Sequence, residues 1–244
     1  MINEKEIAKL IYEGLKQNTP EKVTNLISRE LKEEKTKKLN FTKTPLLNAI
    51  GRELGKLIKD NDQLLDALLK VWKNGEREEK LISISAIGVV AKREYQKIRQ
   101  LILKILADIN NWEICDQLAL RVISVLAVEN KKEIFSLMKE WVSSENKWLR
   151  RLAVATIPPF IRAKKSEAEI CLQLLEPVMA DKDRDVKKAV GWALREISKK
   201  DPESVYNFLT KWAKNKEKNT ASIIKDGMKK LPENLQGELL KQLK

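Results

Sequence analysis

The sequence predicts an all-α solenoid of stacked, antiparallel helix pairs. Composition is the first reason: aromatic residues make up 5% of the chain, and there are only 8 glycines and 7 prolines in 244 residues. Little here breaks helices or favours strands. The second reason is apolar spacing at i, i+3, i+4 and i+7, which recurs through nearly the whole chain. The third is an internal repeat: Trp148-Leu149-Arg150-Arg151-Leu152-Ala153 aligns with Asp185-Val186-Lys187-Lys188-Ala189-Val190 at a step of 37 residues.

Taken in order, the spacing predicts helices at approximately 3–17, 20–34, 45–59 and 62–73. The third of these opens on Thr44-Pro45, an N-cap followed by proline at the first helical position. Helices at approximately 77–92 and 94–108 come next. Within the former, Leu81-Ile82-Ser83-Ile84-Ser85-Ala86-Ile87 alternates like a strand, but its helical surroundings favour helix. Further helices are expected at approximately 111–128, 131–143 and 147–163, and at about 167–180, where Ser166 and Glu169 form a capping-box pattern. The series closes with approximately 184–199, 202–214, 218–230 and 233–243, the second of these introduced by Asp201-Pro202.

The run Asp181-Lys182-Asp183-Arg184-Asp185-Val186-Lys187-Lys188-Ala189 resembles the inter-helix turn and second helix of HEAT repeats, whose period is close to the step found here. A similar step back from Arg151 lands on Asp116. Stacked pairs of this kind place their second helices along one concave face. Asp116, Arg151, Lys188 and Trp192 are therefore expected to project toward one basic groove. This reading treats residues 1–244 as a single HEAT-like repeat domain, with the repeat clearest over 70–215.

Charge narrows the partner. Lys and Arg number 48 against 35 Asp and Glu, a net +13 spread along the chain. Such a surface favours polyanions, because neutralising phosphates releases condensed counterions. Nucleic acid is the leading partner class, and lysine-rich solvated helix faces are the alternative. The chain contains no histidine, which removes the commonest general base and every Ser-His or Cys-His mechanism. Acid/base work would fall to carboxylates.

Cys115 and Cys171 make no CxxC pair, so neither a zinc site nor a disulfide is expected, and both read as small buried residues in a reducing compartment. No run approaches the ~20 apolar residues of a membrane span, and charges interrupt what would be a signal peptide. The expectation is a cytoplasmic, nucleoid-associated protein, monomeric, working without metal, organic cofactor or membrane.

Trp112 and Asp116 lie four apart, on one helix face. A core aromatic beside a carboxylate that ties neighbouring repeats would show the same spacing. Arg150 and Arg151 point about 100° apart, so one is expected to tie repeats together and the other to reach the groove. Spacing leaves open which is which. Trp192 sits between Gly191 and Ala193, small residues that allow another backbone or a ligand close to its ring. Lys187, Lys188 and Arg195 share its helix and are candidate phosphate contacts. Trp72, Trp141, Trp148 and Trp212 read as packing residues.

Asn111-Trp112 with Asp116, Trp148-Leu149-Arg150-Arg151, and Gly191-Trp192-Ala193-Leu194-Arg195 followed by Asp201-Pro202 together resemble the AlkD-like DNA alkylation repair glycosylases, a HEAT-like family. The likeness is continuous over about 70–215, and residues 1–40 carry no motif of the family, leaving Tyr12 and Phe41 unassigned. The resemblance implies a monofunctional glycosylase that removes cationic N3- and N7-alkylated purines from duplex DNA in base-excision repair. It further implies a cleft of Trp112, Asp116 and Trp192 around the lesion's deoxyribose, with Arg151, or failing that Arg150, on a phosphate. Two other readings share these features: a module that binds damaged or structured DNA without cutting, and a HEAT scaffold for proteins.

Overall fold

The computed structural model describes residues 3–17, 19–32, 42–59, 61–164, 166–214 and 217–243. Every regular element among them is helical. Phe41 and the expected end of the second helix lie outside the described residues. Two compact units divide the chain, Met1–Ile109 and Asn110–Lys244.

The first unit holds α1 (Glu4–Lys16), α2 (Pro20–Glu30), α3 (Thr44–Ile58), α4 (Asp62–Asn74), α5 (Arg77–Val90) and α6 (Tyr95–Ile105). Helices α1, α3 and α5 pack side by side, and α2 packs on α4 behind them. The strand-like stretch Leu81–Ile87 is helical, and it is buried on all sides, which explains why its residues show no polar face. Close approach of α3 to α5 depends on Gly51 and Gly55. A Cβ at Gly51 would stand 2.5 Å from the Ser85 Cβ, and one at Gly55 would stand 2.7 Å from the Ala86 carbonyl oxygen. We expect Gly51→Ala to lower unfolding free energy by roughly 1–2 kcal/mol, since an overpacking cost of about 2–3 kcal/mol outweighs the ~1 kcal/mol that alanine contributes in a helix interior. Urea denaturation reads this directly, and a more stable variant would contradict the packing.

The second unit begins with α7 (Trp112–Leu118), which runs through a π-helical turn (Ala119–Ile123) into α8 (Ser124–Glu129). It continues with α9 (Lys131–Val142), α10 (Lys147–Ala163), α11 (Ala168–Leu175), α12 (Arg184–Ser198), α13 (Pro202–Ala213), α14 (Lys218–Gly227) and α15 (Glu233–Gln242). Within this unit α10 packs against α7–α8 on one side and α12 on the other, and α12 packs in turn on α14. The first helices of the pairs, α9, α11, α13 and α15, stack in the same order. This is the nearest-neighbour architecture of a HEAT-like solenoid.

Side chains cross from one pair to the next at nearly constant sequence separation. Lys131 reaches Glu167 across 36 residues, Arg162 reaches Glu196 across 34, and Lys211 reaches Glu176 across 35. The same separation appears in the first unit, where the Trp72 indole donates to Asp108 across 36 and Ser85 donates to Asn48 across 37.

Two caps differ from expectation. Lys43, not Thr44, stands at the N-cap of α3, and the Thr44 hydroxyl instead accepts from Arg77 at 3.0 Å. Ser166 and Glu169 make no capping box, because α11 starts only at Ala168 behind Glu167. Asp201 caps α13 as expected, accepting from the Ser204 amide at 2.9 Å.

Candidate functional site

Asn111 fixes the start of α7: its side-chain oxygen accepts from the Glu113 and Ile114 amides, each at 3.0 Å. Trp112 thereby becomes the first helical residue and projects outward, 57% exposed. A tryptophan this open is not a core residue. Asp116 follows one turn later on the same side, while Cys115 between them turns inward, its thiol donating to the Trp148 carbonyl at 3.5 Å. Burial pushes the Cys115 thiol well above its ordinary range and the Cys171 thiol up to about 12, so neither is a thiolate nucleophile. The π turn opens three residues after Asp116, a local widening that the spacing of apolar residues did not reveal.

Arg151 of α10 grips Asp116 with both prongs of its fork. Its Nε donates to Oδ1 at 2.9 Å and its Nη2 to Oδ2 at 2.7 Å, while Nη1 donates to the backbone carbonyl of Asp185 on α12. The side chains are only 7% and 14% exposed. Three successive second helices thus meet at one guanidinium. Burial raises the Asp116 pKa, the bidentate contact from Arg151 pulls it back down, and the Asp185 charge pushes it up again; the net direction is upward. Each carboxylate oxygen still has a lone pair beyond the one Arg151 uses, and that is where a water or a developing cation can be met.

Asp185 is held in turn. Lys147 stands 3.3 Å from Asp183 Oδ2 and 3.3 Å from Asp185 Oδ2, with its ammonium 4.5 Å from the centre of the Trp148 ring. Neither Lys147 nor Asp185 was among the expected site residues. The signal that could have found them is charge complementarity one repeat apart, since Lys147 precedes Asp185 by 38 residues.

Trp192 lies half-buried on α12, seven residues after Asp185 and four after Lys188, so all three share one helix face. The space beside Gly191 is filled by the Asp226 carboxylate of α14, which a Cβ at Gly191 would overlap. Gly191 therefore admits a neighbouring helix's side chain, where a ligand or backbone had been expected.

The expected phosphate contacts divide. Neither arginine of the pair is left to reach outward: Arg151 is bound to Asp116, and Arg150 donates through Nε to Asp181 at 2.6 Å and through Nη1 to the Ser144 and Glu145 carbonyls. Lys187 donates to Asn219 at 3.0 Å, and Arg195 pairs with Asp226 at 2.5 Å. All four tie adjacent pairs together. Lys188 is exposed and has no side-chain partner among the described residues; Arg184, one turn earlier on α12, and Lys182, in the turn before that helix, are exposed as well. No group of three or more His, Cys, Asp or Glu side chains placed to hold a metal ion occurs among the described residues, and none of their helices is long and apolar enough to cross a membrane.

The sequence model of a family described as DNA alkylation repair enzyme matches residues 11–231. No curated protein matches at a significant level. Among solved structures, that of smu.31 from Streptococcus mutans UA159 is similar to this chain at a TM-score of 0.52 and 21% identity, covering 94% of this chain and all of its own. That likeness is one of fold.

Proposed function

Because the chain belongs to the DNA alkylation repair enzyme family, we propose that it is a monofunctional DNA glycosylase that excises cationic N3- and N7-alkylated purines from duplex DNA. The observation that carries the reading is the Asp116 carboxylate, gripped by Arg151 beside the exposed ring of Trp112, in a chain without histidine.

The chemistry fits these groups. An N-alkylated purine already bears positive charge, so it leaves without being protonated and needs no general acid. As the glycosidic bond breaks, the sugar becomes an oxocarbenium ion, and an ionised carboxylate stabilises that charge as it develops. The same carboxylate orients the attacking water. The open face of Trp112, and that of half-buried Trp192, attract both the cationic lesion and the sugar cation. Lys188, Lys182 and Arg184 supply charge for the phosphates, while Arg150, Arg151, Lys187 and Arg195 shape the surface by tying helices together. The protein works as a monomer, in the cytoplasm and on the nucleoid.

Trp112→Ala separates the aromatic contribution from folding. Because the ring is exposed, unfolding free energy should change by under about 0.5 kcal/mol, whereas loss of one cation–π contact should lower kcat/KM for base release roughly tenfold. An unchanged kcat/KM would remove Trp112 from the site.

One observation favours a second reading. The Asp116–Arg151 pair is nearly closed to solvent and joined by two hydrogen bonds, as in an inter-repeat tie, so a module that binds damaged DNA without cutting it would show the same pair. Release of N7-methylguanine or N3-methyladenine from methylated duplex decides between them. The glycosylase frees the base, and the binding module retains salt-sensitive DNA affinity with no release.

A further inference from the structure

We propose that Lys147 and Asp185 form a clamp that positions the Arg151 fork on Asp116 and sets the pH range over which that carboxylate is ionised. The inference rests on the reading of Asp116 as the working carboxylate. Its geometry is a chain of contacts through three helices of one unit. Lys147, at the start of α10, spans to Asp183 and Asp185 at the start of α12, each at 3.3 Å. The Asp185 backbone carbonyl accepts from Arg151 Nη1, and the other two guanidinium donors close on Asp116. Holding Asp185 therefore holds the carbonyl that aims the fork.

The clamp also has an electrostatic side. Asp116 is faced by Arg151 from α10 and by Asp185 from α12, with Cys115 beside it on α7. Asp185 is a second carboxylate acting on Asp116 with like charge. Lys147 neutralises it at contact distance while remaining partly in solvent, its side chain 39% exposed. Removing the lysine leaves Asp183 and Asp185 without that cation, and Asp116 with one arginine against the bare charge of Asp185, so Asp116 becomes harder to ionise. Removing the Asp185 charge has the opposite effect.

The test follows the Asp116 carboxyl carbon by NMR through a pH titration of the whole protein without DNA, alongside the acid limb of base release against pH. Lys147→Met should move the Asp116 midpoint up by about half a unit or more, and Asp185→Asn should move it down by a similar amount. Lys147→Arg should leave it near the wild-type position. Lys131→Met, which severs the equivalent Lys131–Glu167 tie elsewhere in the unit, should not move it. Asp185→Asn keeps the carbonyl that Arg151 uses, so it carries the test even where Lys147→Met folds poorly. An Asp116 midpoint that is the same in the wild type, Lys147→Met and Asp185→Asn overturns the clamp. No base release by the wild type, together with both NMR shifts in the two variants, overturns the glycosylase reading and leaves the clamp standing.

Discussion

Asp116→Asn is expected to lower release of N7-methylguanine by about 10²- to 10³-fold while the protein remains folded. A carboxylate about 4 Å from a sugar cation stabilises it by roughly 4 kcal/mol at an effective dielectric near 20, equivalent to about 10³ in rate. Arg151 is bonded to that carboxylate and cancels part of its field, which places the expectation toward the lower end. Asparagine keeps the shape but offers one acceptor oxygen where aspartate offers two, so one of the two hydrogen bonds from Arg151 is lost. With the counter-charge to the buried Arg151 gone as well, that costs about 3 kcal/mol of stability, and rates are best compared well below the variant's Tm. Full activity in Asp116→Asn would remove the carboxylate from the chemistry.

The direction of the Asp116 pKa adds a second handle. Burial raises it despite Arg151, and the ionised form is the one that stabilises the cation. Base release should therefore rise with pH through a midpoint above the ordinary aspartate value of 3.8.

Arg151→Met is expected to have the largest effect on stability. It leaves Asp116 buried without a counter-charge and the Asp185 carbonyl without its donor. Breaking a buried pair from one side costs roughly 3–5 kcal/mol. Protonation limits the loss: taking up a proton at pH 7 on a group of ordinary pKa 3.8 costs about 4 kcal/mol, at ~1.4 kcal/mol per unit. The deficit should also depend on pH. Without Arg151 the folded-state pKa of Asp116 lies still further above the unfolded value. Folding therefore favours the protonated form, and the deficit is full above the folded pKa and fades as pH falls toward 3.8. Urea denaturation of wild type and variant at pH 7 and near pH 4 measures this. An equal deficit at both would mean that Asp116 is not the group left uncompensated.

The helical fold was legible because periodicity is a local property. Leu81–Ile87 shows the limit, since a helix buried on all sides carries no polar face to mark its period. The ends were less legible: Thr44 was expected to cap and its hydroxyl instead accepts from Arg77, 33 residues away. The same blindness to distant partners affected the site. Arg150 and Arg151 do make different contacts, as adjacent helical residues must, but both are taken by aspartates, 31 and 35 residues away. No local pattern shows that a charge will be satisfied. The repeat step did hold the information, for Asp116 to Arg151 and Lys147 to Asp183 are each about one repeat of opposite charge. What escaped altogether was the π turn after Asp116 and the Asp226 side chain lodged against Gly191.

The most direct test of the central claim is to incubate wild-type protein with duplex DNA carrying N7-methylguanine and measure the free base together with the abasic site left behind. We expect both to appear in equal amounts, with no strand cleavage in the absence of alkali and no release from unmethylated duplex. DNA that is bound, in a salt-dependent manner, but keeps its methylated base would contradict the claim.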